Sequence, residues 1–134
     1  MIIRIHGDVS EYYVQTLCLV FFPGAKFKEE EAGPDTPCVT VSARQYKNGS
    51  VKATVEIQVG SKVTKAEEIA APSSDIAPDR VCKIAVGRAM FSAGKEHFGH
   101  IHPWGILQAI STGTLAYFCR RRFCSSTFWP GMLL

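Results

Sequence analysis

Two runs of alternating residues flank an Asn-Gly pair, and they limit the fold of this chain more than any other feature. Val39, Val41 and Ala43 alternate with Thr40, Ser42 and Arg44. Beyond the pair, Val51, Ala53, Val55, Ile57 and Val59 alternate with Lys52, Thr54, Glu56 and Gln58. Period-two alternation places one set on a core face and the other in water. Asn48-Gly49 supplies the positive φ angles of a tight primed turn, so the pattern predicts an antiparallel hairpin with one apolar face.

Helical patterns on either side offer cover for that face. Ile2-Ile3-Arg4-Ile5 reads as a short first strand closed by Gly7. Asp8 or Ser10 can then cap a helix in which Val9, Tyr13, Leu17, Val20 and Phe21 recur at helical spacing, until Pro23-Gly24 stops it. Lys26-Phe27-Lys28 reads as a second short strand ahead of a solvated acidic turn, Glu29-Glu30-Glu31, and Val63 to Ala71 as a further strand before the breaker Pro72-Ser73-Ser74.

Residues 76–98 form the strongest helix pattern, with Asp75 as cap, Pro78 in the first turn and Gly99 as stop. Val81, Ile84, Ala85, Ala89 and Met90 make its apolar stripe, while Arg80, Lys83 and Arg88 point elsewhere. Gly87 and Gly94 share one face and predict a close approach to a sheet. The expected fold is α+β, with two helices packed on one face of a mainly antiparallel sheet, followed by an irregular C-terminal tail.

Charge divides the chain at the same place. Residues 1–96 hold twelve acidic and twelve basic residues and sum to zero, so the net +3 belongs to Arg120, Arg121 and Arg122. A charge this small and this local gives no footprint for nucleic acid. Within the hairpin, basic and aromatic residues come together only at Arg44, Tyr46 and Lys47, too sparse for an RNA platform. Residues 1–102 therefore read as one α+β domain and 103–134 as a separate tail. The last stretch of that tail, Arg120 to Trp129, follows neither helical nor strand patterning, and its local preferences disagree with one another.

The tail opens with an uncharged run over 103–119 followed by the three arginines, the outline of a membrane span with a stop-transfer signal. Pro103, Gln108, Ser111, Thr112 and Thr114 speak against a span, so no membrane is expected. Five scattered cysteines (Cys18, Cys38, Cys82, Cys119, Cys124) with no leader pattern before them read as free thiols in a reducing cytoplasm. Cys18 and Cys82 lie among apolar residues and are expected to behave as small core hydrophobes.

Few residues gather in a pattern that carries chemistry. His97, His100 and His102 lie close together at a helix end, a weak candidate metal set whose spacing matches no known zinc motif. Histidines at that position more often meet the last helix carbonyls or water. Cys119 and Cys124 bracket the arginines, an arrangement that lowers a thiol pKa where it is folded and is otherwise a basic tail. No glycine-rich phosphate loop and no nucleophile motif occurs, so no catalytic residue is assigned.

The segment His102-Pro103-Trp104-Gly105-Ile106-Leu107 resembles the Pro-Trp-Gly-Ile-Leu-Thr-Gly-(Val/Ile)-Arg-Pro stretch of HemZ-type coproporphyrinogen III dehydrogenases, the oxygen-independent radical-SAM enzymes of haem biosynthesis. In that family the stretch follows an α+β N-terminal region and precedes the catalytic barrel, and the layout of residues 1–107 is similar to that region. Where the family continues Thr-Gly-Val-Arg-Pro, this chain has Gln108-Ala109-Ile110-Ser111-Thr112, and nothing after it fits the pattern. This reads as a frame shift or truncation after residue 107.

The resemblance implies that the parent enzyme binds a [4Fe–4S] cluster and S-adenosylmethionine through a Cys-x-x-x-Cys-x-x-Cys loop, whose thiolates reach three irons of one cube. Cys119 and Cys124, with four residues between them and no third, do not make that loop. The expectation is a non-catalytic, cofactor-free accessory fragment whose natural partner is the radical-SAM barrel. Pro103, Trp104 and Gly105 would be its domain contacts, since an aromatic on a rigid turn is a good docking anchor. Trp104 serves equally well as a lid on the domain's own core. Apolar surface left without the barrel would favour self-association. The alternatives are a free-standing α+β binding module and, third, a tail-anchored membrane protein.

Overall fold

A computed structural model describes residues 1–23, 27, 33 and 35–99. In chain order the elements are β1 (Ile2–His6), α1 (Glu11–Phe21), β2 (Cys38–Gln45), β3 (Val51–Val59), β4 (Lys62–Ala70) and α2 (Pro78–Phe98). The strands form one sheet in the order β1-β2-β3-β4. β1 runs parallel to β2, with Ile3 beside Val39, and the remaining pairs are antiparallel. This is the α+β class that the alternation and the two helical patterns predict.

The alternation sorts the sheet's faces. Val39, Val41, Val51, Ala53, Val55 and Ile57 are buried against the helices, and the intervening residues form an open face. α2 lies along this buried face and contributes Val81, Ile84, Ala85, Ala89, Met90, Phe91 and Ala93 to the core. α1 adds Val14, Leu17, Cys18 and Val20. Rings seal the seam between the helices: Phe21 meets Phe91 edge-on with centroids 5.6 Å apart, and Phe22 meets Phe98 edge-on at 5.2 Å.

Three local readings are corrected. The β2–β3 connection is a longer turn than a primed two-residue one: Tyr46 N–H donates to Ser50, Gly49 N–H donates to Tyr46, and Gly49 alone takes a positive φ of 88°. Asn48 instead uses its side-chain Oδ1 to accept from Ser50 N–H. The true two-residue turn is Gly60-Ser61 between Val59 and Lys62, with Gly60 at φ 61°. The long helix starts at Pro78 behind Ala77, which offers no side-chain cap, while Asp75 accepts from Ser73 Oγ.

The third correction concerns α2's close approach. A Cβ at Gly94 would stand 2.2 Å from Cε1 of Phe21, so this glycine admits the α1 ring rather than the sheet. The stop at Gly99 is as expected: its φ of 73° and its N–H bond to the Lys95 carbonyl close α2. Phe27 lies in no strand, whereas residues 26 and 28, the acidic turn at 29–31 and everything from 100 onward, including the 102/103 boundary, lie outside the described residues.

Candidate functional site

Both helices begin at the same end of the sheet, and each beginning has a local cause. Gly7, at φ 95°, turns the chain out of β1, and its space is so tight that a Cβ would stand 2.7 Å from the Ala43 carbonyl oxygen. Three residues on, Ser10 Oγ accepts from Tyr13 N–H at 3.3 Å and caps α1. Pro78 opens α2 where its missing N–H costs nothing.

Between these two starts lies a cleft of about 530 Å³ floored by Ala43, Gln45 and Val51, with Asp8, Tyr13, Asp79, Cys82 and Lys83 around it. Tyr13 donates from its hydroxyl to the Lys83 carbonyl at 2.9 Å, and the Lys83 ammonium sits 5.8 Å from the Tyr13 ring centre. Burial, with the nearby Cys82 adding to it, pushes the Tyr13 phenol well up, so it stays protonated and remains a donor.

Cys82 is half-buried, with its sulfur 3.7 Å from the Asp8 carbonyl. Burial raises its pKa first and the Asp8 charge raises it further, against a smaller opposing effect of Lys83. The group is a thiol at neutral pH and a poor nucleophile. Two helix N-termini favour negative charge nearby, and Asp8 and Asp79 already provide it. The cleft can therefore hold a small polar molecule by hydrogen bonds and mixed charge, but its own groups are not set for nucleophilic attack.

Sequence reasoning missed this cleft; Cys82, expected to behave as a small core hydrophobe, packs against the core half-buried and lines the cleft. The sequence offered a start for each helix, correctly at Ser10 for α1 and two residues early for α2, but nothing local says that the two meet. Cys18, by contrast, is fully buried as expected, and burial pushes its thiol up to about 12.

Of the candidate metal residues, only His97 is described. It is buried under the end of α2, with Nδ1 2.8 Å from Thr64 Oγ1 on β4 and its ring 4.8 Å from Phe98. Its backbone carbonyl accepts from Lys62 Nζ. His97 is thus tied to β4 through Nδ1 and its backbone carbonyl. Among the described residues no group of three His, Cys, Asp or Glu side chains converges. His100, His102, Pro103, Trp104 and Gly105, with Cys119 and Cys124, lie outside the described residues.

Arg44 and Tyr46, the sparse basic-aromatic pair, lie against each other, with the guanidinium carbon 5.6 Å from the ring centre. Cys18, Cys38 and Cys82 are free thiols. No helix among the described residues is long and apolar enough to cross a membrane. Compared with family models and with curated proteins, the chain matches none.

Proposed function

We propose that the chain carries the non-catalytic N-terminal domain of a coproporphyrinogen III dehydrogenase-like radical-SAM protein of porphyrin biosynthesis, and that residues 108–134 derive from another reading frame. The observation that carries this reading is the junction. A strand, a helix, a strand meander and a long helix stopped at Gly99 are followed, after three intervening residues, by Pro103-Trp104-Gly105-Ile106-Leu107. In this reading the domain packs against a catalytic barrel, with Trp104 as the anchor, and binds neither cluster nor S-adenosylmethionine itself.

The test is the coding DNA. Past codon 107, one of the other two frames should encode Thr-Gly-(Val/Ile)-Arg-Pro and, further on, Cys-x-x-x-Cys-x-x-Cys; two frames without them overturn the attribution. A second check uses the purified chain with iron, sulfide, reductant and S-adenosylmethionine. No 5′-deoxyadenosine should form, and its formation would overturn the non-catalytic assignment.

The cleft between the helix starts favours a second reading, a free-standing binding module. A small-molecule fragment set that shifts the amide resonances of Val9, Tyr13 and Lys83, and leaves those of β4 unmoved, would support it. A flat response across the set would sink it.

A further inference from the structure

β4 is an edge strand nine residues long, and among the described residues nothing pairs with its outer side. The Gly60-Ser61 turn makes Val59 and Lys62 the closing pair of the β3–β4 hairpin. In a two-residue hairpin that pair is hydrogen-bonded, and bonded pairs recur at every second residue. Lys62, Thr64, Ala66, Glu68 and Ala70 therefore spend their backbone groups on β3. Val63, Lys65, Glu67 and Ile69 direct theirs outward.

The same four residues point their side chains to the open face of the sheet. Val63 and Ile69 are 52% and 55% exposed, unusual for large aliphatic residues on a strand. Lys65 and Glu67 lie between them. Read along the strand, this outward row is apolar, positive, negative, apolar. Turned through 180°, it is its own complement.

We propose that the outer edge of β4 is a homodimer interface, in which a second copy of the chain pairs antiparallel about a two-fold axis at Ala66. In that register Val63 faces the partner's Ile69 and Lys65 faces the partner's Glu67, and the two-fold repeats both pairs. Each of these residues also exchanges both backbone bonds with its opposite number, which satisfies every outward group of the strip and joins the two sheets into one. Moving the axis to position 65 or 67 sets lysine against lysine or glutamate against glutamate, so charge selects the Ala66 register.

Existing contacts fit this pairing. Glu67 already holds Lys52 at 3.3 Å on the β3 side, and its other side faces the partner's Lys65. The Ile69 carbonyl accepts from Arg88 Nη1 at 3.4 Å and keeps a second lone pair for the ladder. The other sheet edge lacks this symmetry, since an axis centred on β1 sets Arg4 against Arg4. Charged residues on an edge strand usually keep copies apart; here they repel every central register but one. The proposal stands on the sheet alone and is independent of the junction at residues 103–107.

The experiment is sedimentation velocity of the full chain under reducing conditions over a concentration series. A dimer should form with rising concentration. Lys65→Glu and Glu67→Lys should each weaken it about tenfold or more, because either change creates two like-charge pairs. An equal mixture of the two variants restores both opposite-charge pairs and should recover wild-type association, as should the double exchange K65E/E67K. Both positions are solvent-exposed, and circular dichroism matching the wild type verifies that the variants fold. A chain that stays monomeric, association indifferent to both reversals, or a mixture that fails to recover would each overturn the interface.

Discussion

Gly94 and His97 show how single side-chain environments set the stability of this domain. The Phe21 ring occupies the space where any larger residue at 94 would put its first carbon. Gly94→Ala should cost about 1–3 kcal/mol, since inserting a carbon into a filled seam forces the ring aside; a urea unfolding curve measures it. His97 titrates below its ordinary 6.5, because burial disfavours the charged ring and the Lys62 ammonium adds to the effect. The unfolded chain then binds the proton more readily than the folded one, so the contribution of His97 to stability is fully present above pH 6.5. It falls as the pH drops from 6.5 toward the lower folded value. His97→Gln should flatten that fall, which urea midpoints across the interval would show. Cys18 should resist alkylation in the folded protein and react only on unfolding, because its thiol is both fully buried and pushed up to about 12.

Among the elements, the two helices are started by different means. Ser10 caps α1 with its side chain, and Ser10→Ala should cost about 1 kcal/mol. α2 relies on Pro78 alone behind an uncapped Ala77, so Ala77→Ser should gain roughly 0.5–1 kcal/mol. Thermal unfolding of the two variants should shift in opposite directions. The strands divide by face in the same legible way. β2 and β3 alternate between core and open face along their length, whereas β4 presents Thr64 and Glu68 to the helix side. Those two polar groups are satisfied by His97 Nδ1 and Ser92 Oγ, which is why β4 does not read as a clean apolar alternation.

At the scale of the whole molecule, the core that the described residues build draws on side chains from Met1 to Ala93. On the proposal that residues 108–134 derive from another reading frame, a chain ending at residue 107 should unfold at the same midpoint as the full one, measured by circular dichroism. A lower midpoint would mean that the tail packs on the domain. Self-association belongs to this scale too, and the charge-swapped pair at 65 and 67 distinguishes a defined edge pairing from general stickiness of an uncovered apolar surface.

The sequence by itself determined the class, the hairpin, the faces of the sheet and the stop of α2. Each of these is a local pattern: period two, helical recurrence, a glycine at an αL stop. It also carried the junction at Pro103-Trp104-Gly105, which is a matter of letters rather than contacts. Only the tertiary structure decided that Gly94 serves an α1 ring, that His97 is held by Thr64, and that the two helix starts enclose a cleft around Cys82. The same holds for the outward row of β4, whose residues are visible in the sequence but whose edge position is not. Such facts depend on contacts between segments far apart in the chain, and a local pattern records that a face is buried without recording against what.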